Sequence, residues 1–130
     1  MLVPVMMMAA ALSGCSESEA APPDVLRLAP SGSVTDCGTF TLDQGERVPE
    51  DAGLCLLTAS KEGRVAQLEV TAPTVEGDPI ITVYATRPDG GIEVVEDTRQ
   101  DEFGAKEVTR EICTGPIIDE NGLHFTACGS

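Results

Sequence analysis

Four cysteines, Cys37, Cys55, Cys113 and Cys128, constrain this chain more than any other feature. None forms a Cys-x-x-Cys pair, so neither zinc nor dithiol redox chemistry is indicated, and an even set fits two disulfides in an exported protein. The chain needs such staples. It has 130 residues with no Trp, one Tyr and three Phe, so the apolar material for a core is scarce. Hairpin geometry suggests the pairing. A two-residue loop at Glu120-Asn121 sets Cys113 directly opposite Cys128, whereas a loop at Asn121-Gly122 makes them diagonal neighbours. We read Cys113–Cys128 as one bond, which leaves Cys37–Cys55 as the other. Each closes a loop worth about 3 kcal/mol in the chain-entropy model.

Local patterns supply the elements between the cysteines. Pro49 to Glu62 reads as a helix, with Pro49 early, Glu50 and Asp51 in the first turn, and Gly63 just past the end. Ala52, Cys55, Leu56 and Ala59 fall on one face, and Gly53 inside the helix costs about 1 kcal/mol against Ala. Runs of period two follow at 65–72, 80–87, 92–97, 106–113 and 123–128, with hairpin turns at Asp89-Gly90-Gly91 and Asn121-Gly122. A short strand near Cys37 to Leu42 precedes the helix. The expected fold is α+β: one helix packed on an antiparallel meander of four to five strands, with two disulfides.

The fifth cysteine belongs to a different story. Met1 to Leu12 is apolar and uncharged, too short for a bilayer span of about 20 residues but the length of a signal-peptide core. Leu12-Ser13-Gly14-Cys15 resembles the lipobox of bacterial lipoproteins, in which small residues precede a cysteine that receives a diacylglycerol. The resemblance implies cleavage before Cys15 and a two-chain lipid anchor on the extracytoplasmic face of the cell membrane, stable because each buried CH₂ adds about 0.8 kcal/mol. Ser16 to Pro23 then reads as a polar tether. The expected organisation is a signal peptide over 1–14, lipidated cysteine and tether over 15–31, and one α+β domain over 32–130.

Charge narrows the partners. Asp and Glu number 22 against 8 Lys and Arg, a net charge of −14, which opposes a phosphate backbone and excludes nucleic acid. The field favours cations or basic partners within about 8 Å at physiological salt. The hairpin reading gathers Glu76, Asp78, Asp97, Asp101 and Glu102 at one end with Arg99 among them, Asp78 facing Asp101 or Phe103. Clustered carboxylates suit Ca²⁺, which takes six to eight oxygens. The known calcium-loop spacing fails here, with Arg99 at its third position and Glu102 where Gly should stand. The alternative is a solvated acidic surface.

Glu76-Gly77-Asp78-Pro79-Ile80 followed by Asp97-Thr98-Arg99-Gln100-Asp101-Glu102-Phe103-Gly104 is similar to the core of small, uncharacterised lipoproteins of Gram-positive bacteria. The likeness spans about 64–104 and implies an anchored domain of unknown function, with no catalytic residue. Enzyme chemistry finds little footing: His124, the single histidine, alternates with Leu123 and Phe125 on a strand, beside no nucleophile and positioned acid. We therefore expect a lipid-anchored binding or interaction module for an unknown envelope protein or ligand, and no enzyme. A cation-binding domain at the acidic end and a protease-inhibitor-like domain presenting Glu76 to Ile80 are the alternatives.

Overall fold

The computed structural model describes residues 33–130. Seven elements follow in order: β1 (Thr35–Thr41), α1 (Glu50–Glu62), β2 (Ala66–Pro73), β3 (Pro79–Thr86), β4 (Ile92–Asp97), β5 (Val108–Asp119) and β6 (Gly122–Gly129). They build one six-stranded sheet in sequence order with the helix on one face. Two expectations are corrected here. The sheet has six strands, not four to five, and β1 runs parallel to β2, so the meander is not wholly antiparallel. The parallel pair follows from the helix between the two strands, because a strand–helix–strand crossover returns the chain in the same direction.

The helix starts and stops where its sequence dictates. Pro49 stands at the N-cap with Glu50 and Asp51 in the first turn, and Gly63 takes the left-handed conformation at φ 66° after the last turn. Arg64 N–H then donates to the Ala59 carbonyl, closing the helix end. Leu56 and Ala59 from the helix meet Ala66, Leu68 and Ile92 from the sheet, all fully buried. One buried hydroxyl is answered twice, while the buried Gln67 Nε2 has no hydrogen-bond partner among the described residues. The Thr86 hydroxyl donates to the Arg64 carbonyl and accepts from Ala66 N–H, tying the start of β2 to the end of β3.

The sheet coils around the helix. β3 and β6 are three strand spacings apart, about 14 Å in a flat sheet, yet the Tyr84 and Phe125 rings have centroids 6.1 Å apart. Curling also brings the β5–β6 end onto the helix. Ile118 lies against Gly53, where an added Cβ would collide with its side chain, and this accounts for a glycine inside the helix. On the other face Val83 and Val95 are buried with Ile81 and Val108 beside them.

β5 continues to Asp119 instead of ending at Cys113. Gly115 and Pro116 look like strand breakers in the sequence, but β4 makes its last pair at Ile92–Cys113, so Pro116 faces no partner there whose bond its missing N–H would break. Gly115 has φ 63° and abuts Thr126, whose bulk leaves no room for a Cβ. Two disulfides clamp this frame, Cys37–Cys55 between β1 and the helix and Cys113–Cys128 across β5 and β6. The second bond joins residues directly opposite each other, and the loop between these strands is Glu120-Asn121, with Asp119 facing Gly122.

Candidate functional site

The acidic end of the central hairpin has a register different from the one expected. Thr86 pairs with Ile92 and Ile81 with Asp97, because the turn has three residues, Pro88 to Gly90, rather than two. Arg87 N–H donates to Gly91 O and Gly90 N–H to Arg87 O, with Gly90 at φ 87°, so Pro88 and Asp89 form the turn and Gly90 supplies the left-handed residue. The strands end before Asp78 can face Asp101 or Phe103. Asp78 instead accepts a hydrogen bond from Glu102 N–H at 3.0 Å, linking the β2–β3 turn to the β4–β5 loop.

Two other carboxylates of this end, Asp97 and Asp101, also hold backbone. Asp101 Oδ1 accepts from Phe103 and Gly104 N–H. Asp97 is buried and accepts from Arg99 Nη2 at 2.6 Å, Arg99 Nε at 2.9 Å and Arg99 N–H at 3.0 Å. The Arg99 guanidinium holds the Asp97 carboxyl below the usual carboxylate range, against the opposing effect of burial. Glu76 sits exposed at a tight turn whose Gly77 has φ 96°. Gln44 braces that turn from outside, donating to the carbonyls of Thr74 and Val75. These six side chains are brought to one end of the molecule, but they do not converge on a common point. Among the described residues the single group of metal-ligating atoms is Glu111, Cys113 and Cys128. Its two sulfurs are bonded to each other and have no thiolate to offer. Cys15 lies outside the described residues, as do the expected signal peptide over 1–14 and the whole of the expected tether over 15–31.

A second site lies at the helix start. Arg47, Val48 and Glu50 meet Ile118, Asp119, Glu120 and Gly122 around a cleft of about 360 Å³, within the size range of small-ligand and side-chain pockets. The chain reaches this place by three routes: the β1–α1 connection brings Arg47, the first helical residue is Glu50, and the β5–β6 hairpin tip brings Asp119 and Glu120. Val48 and Ile118 supply the apolar surface. Gly122, at φ 94°, leaves room for the Arg47 stem, which passes 3.8 Å from where a Cβ would stand. Asp119 Oδ1 accepts from Asn121 N–H, and its Oδ2 lies 3.5 Å from His124 Nε2. His124 is half-buried on the strand, with Nδ1 3.3 Å from the Gly122 carbonyl.

Sequence reasoning missed this cleft because its residues come from separate segments that only the coiling of the sheet assembles. The one local signal was Gly53, whose cost inside a helix marks a close approach by another element. Glu50, Asp119 and Glu120 outnumber Arg47 around the cleft, so its lining carries net negative charge beside the apolar Val48 and Ile118.

The fold is thus a disulfide-clamped α+β domain with a cleft lined mostly by acidic side chains. Residues 56–123 match the family described as Domain of unknown function (DUF4362), and the chain belongs to that family. No curated protein and no solved structure matches the chain.

Proposed function

We propose that this protein is a lipid-anchored extracytoplasmic binding module that takes a basic group of an envelope partner into the cleft formed by Arg47, Glu50, Asp119 and Glu120. The observation that carries this reading is that Glu50, Asp119 and Glu120 line one cleft of about 360 Å³ together with Val48 and Ile118. A lysine or arginine fits such a site by charge and by its apolar stem. The net charge of −14 attracts basic partners and repels the commoner acidic ones. Two disulfides agree with an oxidising compartment, and the Leu12-Ser13-Gly14-Cys15 signal supports lipid attachment there.

The test is fluorescence anisotropy with a labelled Lys-rich peptide, comparing the natural chain with a triple variant Glu50→Gln, Asp119→Asn, Glu120→Gln. Affinity falls at least about tenfold in the triple variant if the cleft is the site, since buried or half-buried charge pairs at an interface are worth 1.4 kcal/mol or more. Equal affinity of the two proteins refutes the reading. Attachment is tested separately: Cys15→Ala releases the protein from membranes and removes the mass of the lipid.

A second reading has one observation in its favour. Val75 is 89% exposed at a turn braced by Gln44 and by the Asp78–Glu102 link, and Phe103 is 76% exposed on the neighbouring loop. A rigid loop carrying an exposed apolar residue is how inhibitor-like domains engage proteases. Inhibition of a secreted protease that vanishes with Val75→Asp would move the function there.

A further inference from the structure

The sheet has two edges, and the chain treats them differently. β1 is guarded by devices that discourage further pairing. Its register shifts between Asp36 and Thr39, Gly38 adopts φ 116°, Asp36 folds back to accept from Gly38 N–H, and Cys37 is tied to the helix. β6 has no register shift, and its one left-handed residue, Gly122 at φ 94°, stands at its very start, buried beside Arg47. Its eight residues, Gly122–Gly129, contain no Asp, Glu, Lys, Arg or Pro, in a chain where 23% of residues are charged. It keeps one register with β5 along its whole length, and Cys113–Cys128 pins it in place. Among the described residues no strand lies beyond it.

Charge is absent from the edge itself but present at both ends. Asp119 and Glu120 stand at the hairpin tip where β6 begins, in the cleft already described, and Gly122 belongs to both cleft and strand. At the other end the exposed Glu111 carboxylate lies within 4.8 Å of the Cys113 and Cys128 sulfurs. From Gly122 to Cys128 a strand advances about 20 Å. An extended segment with a basic side chain at each end and small or apolar residues between them matches this layout in charge and in length.

We propose that β6 accepts an added strand, and that the occupant is an extended segment of a partner protein with basic residues about six positions apart, one of which enters the Asp119–Glu120 cleft. Main-chain hydrogen bonds along the edge give affinity and the two end charges give register, the division of labour usual in strand addition. Two copies of this chain suit the edge less well, because each brings the same acidic ends to the other. The inference rests on the cleft reading and names the form of its partner.

The experiment uses the full chain carrying Cys15→Ala and a capped peptide, Lys-Thr-Val-Thr-Val-Thr-Lys, with two controls: the same peptide N-methylated at every internal amide, and one with Glu at both ends. Binding is read by calorimetry, and amide hydrogen exchange is followed along β6. Binding of the first peptide, weakened about tenfold by N-methylation or by Glu, with slowed exchange at alternate residues of β6, supports the inference. Equal binding of the plain and methylated peptides overturns strand addition and leaves the cleft reading standing. Failure of the Lys peptide to bind overturns both. Slowed exchange along β6 without peptide, rising with protein concentration, assigns the edge to a second copy and overturns the proposed occupant.

Discussion

Replacing Gly53 by Ala sets two effects against each other, and the structure decides which wins. In an unencumbered helix interior Ala is better than Gly by about 1 kcal/mol. Here the new Cβ would drive into the Ile118 side chain, whose Cγ1 alone would be 3.1 Å away. Overpacking of this kind costs about 1–3 kcal/mol. The net expectation is a loss of about 1 kcal/mol, or a fall in Tm of about 4–8 °C for a domain of this size. Ile118→Val removes the Cδ1 atom nearest the collision and alone costs about 0.5–1.5 kcal/mol. In the double variant the helix gain survives without the clash, so stability returns close to that of the natural chain. Urea unfolding of the four proteins gives the coupling directly, expected at about 1–2 kcal/mol in the compensating direction. Stabilisation by Gly53→Ala alone, with no coupling to Ile118, would refute the close approach of hairpin and helix, and with it the wall of the cleft.

Three further outcomes follow from the same frame. Removing the Cys113–Cys128 bond by paired Cys→Ser substitution opens a loop of 15 residues and costs about 3 kcal/mol in urea unfolding, with a similar loss for Cys37–Cys55 and its separation of 18. Asp97 has its carboxyl lowered by Arg99, so its contribution is present above the ordinary Asp value and is lost as pH falls through the lower folded value; Asp97→Asn flattens that acid-side decline in unfolding free energy measured from pH 5 downward. Tyr84 is the single tyrosine, and burial, aided by Glu96, raises its phenol above the usual value of 10.0. Absorbance titration therefore shows a later midpoint in the folded protein than in denaturant, and stability falls as pH rises through that folded value.

The helix was legible because its signals are local: Pro49, the acidic first turn and Gly63 need no tertiary information. The disulfides were legible for a related reason, since a hairpin loop fixes which residues face each other. A strand near Cys37 to Leu42 is legible before the helix, but its membership of the same sheet, as a sixth strand parallel to β2, is not, because that place is set by the helix that carries the chain back in the same direction. β5 was cut short at Cys113 because Gly115 and Pro116 are breakers only where a neighbour must pair. Register at the acidic end slipped by the single residue that separates a three-residue from a two-residue turn, and one residue was enough to separate Asp78 from Asp101. The cleft was invisible because Arg47, Glu50, Asp119 and Glu120 share no segment, period or motif.

The most direct test of the account is a residue-by-residue map of amide chemical shifts while a Lys-rich peptide is titrated into the isotopically labelled full chain carrying Cys15→Ala. The account predicts changes centred on Arg47, Glu50 and the stretch Ile118 to Gly122, saturating with the peptide and weakening as salt is raised. Changes centred instead on Val75, Glu76, Glu102 and Phe103, or none at all, would contradict it.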